Sequence, residues 1–268
     1  MLKNKKYFLF DIDGTLAVDD ILYEGSYDLI KYIEKINGRA FYITNNSVKS
    51  RKDYMEKFAR WGIETDEDQF MTASYATCCY LKEHYTDKKI FVVGTPSFVE
   101  ELRSFGLKAT ENEMYDIDCV VVGFDRTLDY NKVEKACELL TNPLIDYIAT
   151  NPDLRCPTGF GFIPDCGAIC NMISAAVDRE PYYVGKPNKE IVQMCMKQVN
   201  AKLNEVIVVG DRLYTDIACG INAGVETAVV FTGEAQLEDL GDAIYKPDYY
   251  FEHIRAFFDK VKSEQEGE

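Results

Sequence analysis

Short apolar runs alternate with longer amphipathic stretches along most of the chain's 268 residues. The first run, residues 7–12, has the length and composition of a buried strand, and the stretch after it places Leu29, Ile30 and Ile33 on one face of a helix. Strands that alternate with helices form parallel sheets, because each helix carries the chain back to the same sheet edge by a right-handed crossover. The alternation therefore predicts an α/β fold with a Rossmann-like, doubly wound parallel sheet as its core.

A second strand–helix pattern interrupts the first. Apolar runs at residues 90–94, 118–123 and 146–150 alternate with helical stretches, and the first pattern resumes near residue 187. An interruption of about 100 residues has a common domain size. We therefore predict a core domain of residues 1–85 and 185–268, with an inserted smaller α/β domain of residues 86–184.

The charge balance limits the kind of partner and the kind of chemistry. The chain has 45 Asp and Glu residues against 30 Lys and Arg residues, a formal net charge of −15, and two histidines. Such an excess of negative charge repels nucleic-acid polymers and anionic membrane surfaces, so neither is an expected partner. With so few histidines, carboxylates are the groups that would carry the chemistry of an enzyme.

The cysteines and the amino-terminal residues predict the cellular compartment of the protein. Nine cysteines cannot all pair, and most lie in apolar patterns, which is typical of reduced core thiols. The apolar run after the first lysines ends at Asp11, which is too short for a signal peptide or a membrane span. We therefore expect a cytoplasmic protein.

Polar residues collect where the predicted strands of the core end. Because the carboxyl ends of parallel strands share one edge of a sheet, these residues are expected to lie together, where ligands of such sheets bind. They are Asp11 and Asp13, Thr44 and Asn45, Lys186, and Asp211 and Asp216.

These residue types suit phosphoryl transfer. Several carboxylates at one edge repel one another, which implies a hard divalent cation such as Mg²⁺. One carboxylate can attack phosphorus, and a second can protonate the leaving group and then activate water. Hydroxyl and amide groups and one lysine can hold the phosphoryl oxygens. Gly14 permits the bend that brings both carboxylates of Asp11-Ile12-Asp13 toward one centre.

Four segments, in order, resemble the motifs of the haloacid dehalogenase (HAD) superfamily of phosphatases. They are Asp11-Ile12-Asp13-Gly14-Thr15-Leu16, Thr44, Lys186, and Gly210-Asp211 with Asp216. The position of the insert resembles a type IIA cap. The segments Ile43-Thr44-Asn45-Asn46-Ser47, Ala149-Thr150-Asn151-Pro152-Asp153 and Val184-Gly185-Lys186-Pro187-Asn188 resemble the NagD-like subfamily, which includes the p-nitrophenyl phosphatases.

The resemblance implies a Mg²⁺-dependent phosphatase that hydrolyses small phosphomonoesters through an aspartyl phosphate. It makes Asp11 the nucleophile and a metal ligand, and Asp13 the general acid/base, which also binds Mg²⁺ through its backbone carbonyl. The remaining implied roles are phosphate binding by Thr44, Asn45 and Lys186 and metal binding by Asp211 and Asp216.

The resemblance also implies that the cap selects the substrate. The candidate contacts are Asp153, Arg155 and Cys156, in a candidate specificity loop over residues 151–162. The partner is then a small phosphorylated metabolite, and because members of the subfamily often dimerise through the cap, a homodimer is one expectation.

Other classes share part of this pattern. Receiver-type signalling modules also place acids, a hydroxyl residue and a lysine on a parallel sheet, but they are much shorter and carry an acidic pair on the first strand. Phosphotransferases and mutases of the same superfamily stay an alternative, although they generally carry a smaller helical cap. A dehydrogenase is disfavoured, because the first turn has Gly14 but no Gly-x-Gly-x-x-Gly pattern.

Overall fold

The computed structural model describes residues 1–46, 50–112, 115–158 and 160–267. In it the chain forms two compact units. The first unit comprises Met1–Thr44, Lys49–Met71 and Lys186–Glu268, and the second comprises Asn45–Val48 and Thr72–Gly185.

The strands and helices alternate along both units. The strands are β1 (Tyr7–Phe10), β2 (Ala17–Val18), β3 (Ile21–Leu22), β4 (Arg39–Thr44), β5 (Phe70–Thr72), β6 (Lys89–Val93), β7 (Lys108–Thr110), β8 (Cys119–Val122), β9 (Asp146–Ala149), β10 (Arg155–Thr158), β11 (Gly161–Pro164), β12 (Tyr182–Tyr183), β13 (Val206–Gly210), β14 (Glu226–Val230) and β15 (Tyr249–Phe251). The α-helices are α1 (Ser26–Lys35), α2 (Arg51–Arg60), α3 (Ala73–His84), α4 (Pro96–Ser104), α5 (Tyr130–Leu140), α6 (Cys166–Val177), α7 (Glu190–Val199), α8 (Ala218–Ala223) and α9 (Ile254–Glu266).

The first unit is built on a six-stranded sheet with the order β15-β14-β13-β1-β4-β5. β1 pairs in parallel with both β13 and β4, and the pairs β13–β14 and β14–β15 are also parallel. From β1 the chain moves outward through β4 and β5, and it later returns to the other side of β1 as β13, β14 and β15. This reversal is the predicted doubly wound topology, and it puts the carboxyl ends of β1 and β13 side by side at the place where such sheets bind ligands.

The central strands of this sheet form because they are apolar and buried. All five residues of β13 and the last three of β1 are buried, as is typical of a parallel strand covered on both faces. Phe8 and Phe10 of β1 meet the ring of Phe257 in α9 edge-on, with centroid distances of 6.4 Å. This packing fixes β1, and therefore the residues that follow it.

The second unit has its own parallel sheet, with the order β12-β9-β8-β6-β7. Its longer segment begins at Thr72, so α3 belongs to it, whereas the sequence pattern suggested a start at residue 86. The reason is in the packing of α3: Tyr75 contacts Phe105 and Tyr80 stacks on Tyr182, with ring centroids 5.6 and 5.3 Å apart. Helical periodicity shows that α3 has an apolar face but not which sheet it covers.

One predicted loop contains regular structure. We expected a loop over residues 151–162, but β10 in that range pairs with β11, which continues to Pro164, in an antiparallel two-stranded ribbon. A proline inside β10, Pro157, is compatible with a ribbon of only two strands, because one side of the strand needs no ladder hydrogen bonds. Residue 159 lies outside the described residues. None of the helices in the described part of the chain is long and apolar enough to cross a membrane.

Candidate active site

The first two predicted carboxylates follow β1. The backbone N–H of Asp11 still donates to the Val209 carbonyl at 2.9 Å, so Asp11 continues the pairing with β13, and its side chain is buried. Asp13 stands further out, with 41% of its side chain exposed. Gly14, directly after Asp13, has a φ of +100°, and a Cβ there would lie 2.7 Å from a carboxylate oxygen of Asp211. Only glycine fits this position.

Two further carboxylates follow β13, and backbone groups fix both of them. Asp216 lies in a π-helical segment, Leu213–Ile217, and its Oδ2 accepts the N–H groups of Asp211 at 3.2 Å and Arg212 at 3.0 Å. Asp211 accepts the N–H of Glu234 at 2.9 Å and the Thr15 hydroxyl at 3.2 Å. The positions of these carboxylates are therefore set by the fold rather than by each other.

Lys186 lies between the ends of three strands. Its Nζ is 2.6 Å from Asp11 Oδ1 and 2.7 Å from Asp216 Oδ1, and it donates to the Ile43 carbonyl at 3.1 Å. Only 2% of its side chain is exposed. A lysine this deeply buried is stable because it is paired with charged and polar acceptors.

The acidic groups outnumber the positive charge at this edge of the sheet. Carboxylate oxygens of Asp11, Asp211 and Asp216 all lie within 4.8 Å of one another, and all three residues are buried. Burial raises the pKa of Asp11, against the attraction of Lys186 and together with the other two carboxylates. Burial, with the Asp216 charge, raises the pKa of Asp211 to about 6. Burial lowers the pKa of Lys186, but Asp11 and Asp216 outweigh it and hold that pKa above its usual value.

This cluster fits a hard divalent cation. Its donor atoms are carboxylate oxygens, which Mg²⁺ prefers, and a cation offsets the repulsion that one ammonium leaves uncompensated. The carboxylate of Asp13 is not part of this cluster, so any contact of Asp13 with a metal ion would come from its backbone, as the family resemblance implies.

The predicted phosphate-binding residues Thr44 and Asn45 are also buried. Thr44 is the last residue of β4 in the first unit, and Asn45 follows it directly. Asn45 is held within the second unit, where its Nδ2 donates to Asp153 Oδ1 at 3.2 Å and its carbonyl accepts Asn151 Nδ2 at 3.0 Å. Ser47, the last residue of one motif segment, lies outside the described residues.

The three predicted specificity residues have different contacts. Asp153 contacts Asn45, as described above. Arg155 is exposed on β10, with its guanidinium 4.6 Å from the ring centroid of Phe162 on β11. Cys156 is half-buried and pairs with Ile163 across the ribbon. Asp153 is therefore tied to a predicted phosphate-binding residue, whereas Arg155 and Cys156 belong to the ribbon.

Sequence reasoning missed several residues around the site. The most notable is Lys57 of α2, which has 2% of its side chain exposed and lies 3.3 Å from Asp13 Oδ1. Its only signal in the sequence is a lysine three residues after Tyr54 and next to Phe58, among residues that face the core. Thr15 stands in the first motif, but its hydrogen bond to Asp211 was not predicted, because the two residues are 196 positions apart. The N–H of Glu234, which also binds Asp211, was missed because a backbone contact has no sequence signature.

Comparison with known proteins decides the family. The haloacid dehalogenase-like hydrolase family matches residues 8–108, and the HAD-hydrolase-like family matches residues 183–257. The chain is 32% identical to the ribonucleotide monophosphatase NagD of Escherichia coli K12, over 93% of this chain and 96% of that protein. The chain belongs to the NagD-like HAD hydrolases.

Two further proteins are similar to this chain in structure or in sequence. The crystal structure of a 4-nitrophenylphosphatase from Thermotoga maritima matches with a TM-score of 0.90 and 35% identity, covering 97% of this chain and 98% of that one. An acid sugar phosphatase of Staphylococcus haemolyticus is 29% identical over 97% of this chain and 98% of that protein. The predicted resemblance and α/β fold are confirmed, and the chain is an enzyme of the HAD phosphatase class.

Proposed function

We propose that this NagD-like HAD phosphatase hydrolyses small-molecule phosphomonoesters with Mg²⁺, through a phosphoryl group carried transiently on Asp11. The observation that supports this most is the contrast within Asp11-Ile12-Asp13. Asp11 is buried and bound by the Lys186 ammonium at 2.6 Å, whereas Asp13 is half-exposed. This contrast supports a division of roles in which Asp11 attacks phosphorus and Asp13 meets the leaving group and water.

In the first step, Asp11 attacks the phosphorus of the ester. A bond forms between a carboxylate oxygen of Asp11 and phosphorus while the bond from phosphorus to the ester oxygen breaks. Asp13 donates a proton to that oxygen, so the product leaves as an alcohol.

In the second step, Asp13 acts as a base. Its carboxylate takes a proton from a water molecule, which attacks phosphorus, and the bond to Asp11 breaks with release of inorganic phosphate. Thr44, the N–H of Asn45 and the Lys186 ammonium hold the phosphoryl oxygens while charge is redistributed in both steps.

The Mg²⁺ site would be formed by Asp11, Asp211 and the backbone carbonyl of Asp13, with Asp216 completing the acidic set. When bound, Mg²⁺ offsets the negative charge of the phosphoryl oxygens and lets the acidic residues lie together. Asp216 also orients Lys186, through the 2.7 Å contact to its ammonium.

We propose that the second unit selects the substrate, with Asp153, Arg155 and Cys156 as the residues that contact the leaving group. The relatives are named acid sugar phosphatase, ribonucleotide monophosphatase and 4-nitrophenylphosphatase, so small phosphorylated metabolites are the class to test. We also propose that the enzyme works in the cytoplasm, because all nine of its cysteines are free, as suits a reducing compartment.

The test begins with a panel of phosphomonoesters that includes p-nitrophenyl phosphate, assayed with Mg²⁺. On the best substrate, Asp11→Asn should lower kcat by roughly 10³-fold or more, since an amide is a far weaker nucleophile. Asp125→Asn is the matched control, because Asp125 is also a buried aspartate that follows a parallel strand, but in the second unit. Unchanged turnover by Asp11→Asn would contradict the mechanism.

A further inference from the structure

We propose that Lys57 is a positioning residue for Asp13: it holds the Asp13 carboxyl group in the orientation from which it protonates the leaving group. This rests on the proposed function, in which Asp13 is the general acid. The geometry that carries it is the 3.3 Å contact between Lys57 Nζ and Asp13 Oδ1.

Lys57 is placed by a well-anchored helix. Ser50 caps the start of α2, since its hydroxyl accepts the Asp53 N–H while the Asp53 carboxylate accepts the Ser50 N–H. Tyr54 and Phe58 are fully buried on the inner face of α2, and Lys57 lies between them on the same face. Lys57 is therefore buried because it lies on the buried face of α2.

Burial makes the partner of Lys57 obligatory. Only 2% of the side chain is exposed, and a lysine rarely reaches that degree of burial without an acidic partner. In the described part of the chain, the one carboxylate within ion-pair distance is Asp13. The ammonium also lies 5.0 Å from the ring centroid of Trp61, whose indole N–H donates to the Asp20 carbonyl at 2.7 Å. The Trp61 ring and the Asp13 carboxylate together fix the position of the Lys57 ammonium.

The two lysines that contact the carboxylates after β1, Lys186 and Lys57, bind different residues. Lys186 contacts Asp11 and Asp216 in the buried cluster, whereas Lys57 contacts Asp13 from a different helix. The orientation of Asp13 is therefore fixed independently of the metal-binding carboxylates. Because Asp13 keeps 41% of its side chain exposed, the group can be held by Lys57 and still reach a leaving oxygen.

A matched pair of substrates tests this. p-Nitrophenyl phosphate has a leaving group that departs without much help from an acid, and phenyl phosphate, of almost the same shape, has one that needs a proton. Lys57→Met should lower kcat/KM for phenyl phosphate about tenfold more than for p-nitrophenyl phosphate, while Lys57→Arg, which keeps the charge, should restore most of the wild-type ratio. Equal losses on both substrates, for a variant that folds, would overturn the proposal.

Controls keep the result specific. Lys132→Met removes a lysine that is paired with a buried aspartate in the second unit, and it should leave the ratio of the two substrates unchanged. If Lys57→Met fails to fold, Lys57→Gln is measured instead, with the same expectations. Asp13→Asn should shift the ratio in the direction of Lys57→Met. If the wild type hydrolyses neither ester, or if Asp11→Asn is fully active, the proposed function fails rather than the role of Lys57.

Discussion

The two units each place an aspartate and a lysine beyond the carboxyl ends of a parallel sheet, with different outcomes. In the first unit, Asp11, Asp211 and Asp216 share the single ammonium of Lys186. In the second unit, Asp125 comes three residues after β8 and is matched by Lys132 of α5 at 2.9 Å. Lys132 also lies 3.4 Å from Glu111, whose side chain is 24% exposed. The first edge therefore has three buried carboxylates beside one ammonium, whereas the second has one buried and one partly exposed carboxylate beside one ammonium.

Neighbouring groups of the second unit bind both carboxylate oxygens of Asp125. Its Oδ1 accepts the N–H and the hydroxyl of Thr127, at 2.7 and 2.6 Å, and its Oδ2 faces Lys132, which also donates to the Gly94 carbonyl at 2.8 Å. Its side chain has no exposed surface. Both oxygens of Asp125 are therefore bound by neighbouring groups of the second unit, whereas the buried carboxylates of the first edge outnumber the ammonium beside them.

The largest predicted difference between the two edges concerns metal. Removing divalent ions with EDTA should lower phosphatase activity by roughly 10³-fold, and added Mg²⁺ should restore it, because only the first edge depends on a cation for charge balance. Mg²⁺ should also raise the Tm of the wild type, since a ligand of the native state stabilises it.

Asp211→Asn is the matched variant for that experiment. It should lose most of the rise in Tm with Mg²⁺, whereas Asp125→Asn should keep it. A metal-free enzyme with full activity, or an equal rise in Tm for both variants, would contradict the claim that Mg²⁺ binds at the first edge and not at the second.

These strand-end residues were predictable from sequence for a physical reason. A parallel sheet brings the ends of distant strands together, so apolar runs followed by Asp11, Thr44 and Asp211 predict their meeting without any knowledge of contacts. Lys186 was predicted by its motif, and the structure places its ammonium against Asp11 and Asp216.

Other features were not predictable in the same way. Lys57 was missed because its partner Asp13 lies 44 positions away and helical periodicity does not identify partners. The membership of α3 in the second unit depends on the contacts of Tyr75 and Tyr80 with residues far along the chain. The ribbon of β10 and β11 was hidden by the glycines and the proline that suggested a loop.

The smaller prediction concerns the structural pair of the second unit. Asp125→Asn should lower the free energy of unfolding by about 2 kcal/mol, because the Lys132 ammonium then keeps only the partly exposed Glu111 as a charged partner, while an acceptor for Thr127 persists. Urea unfolding measures this change, and activity per folded molecule should stay the same. A loss of kcat comparable to that of Asp11→Asn would mean that the second edge takes part in the chemistry.

The most direct measurement is chemical trapping of the intermediate. The enzyme is mixed with an excess of its best substrate, quenched in acid, reduced with borohydride and digested with trypsin, which should release residues 7–31 as one peptide. We predict that Asp11, and not Asp13, is converted to homoserine in a fraction of molecules that depends on substrate. A peptide that is never modified at Asp11 under conditions of active turnover, or one modified at Asp13 instead, would contradict the central claim.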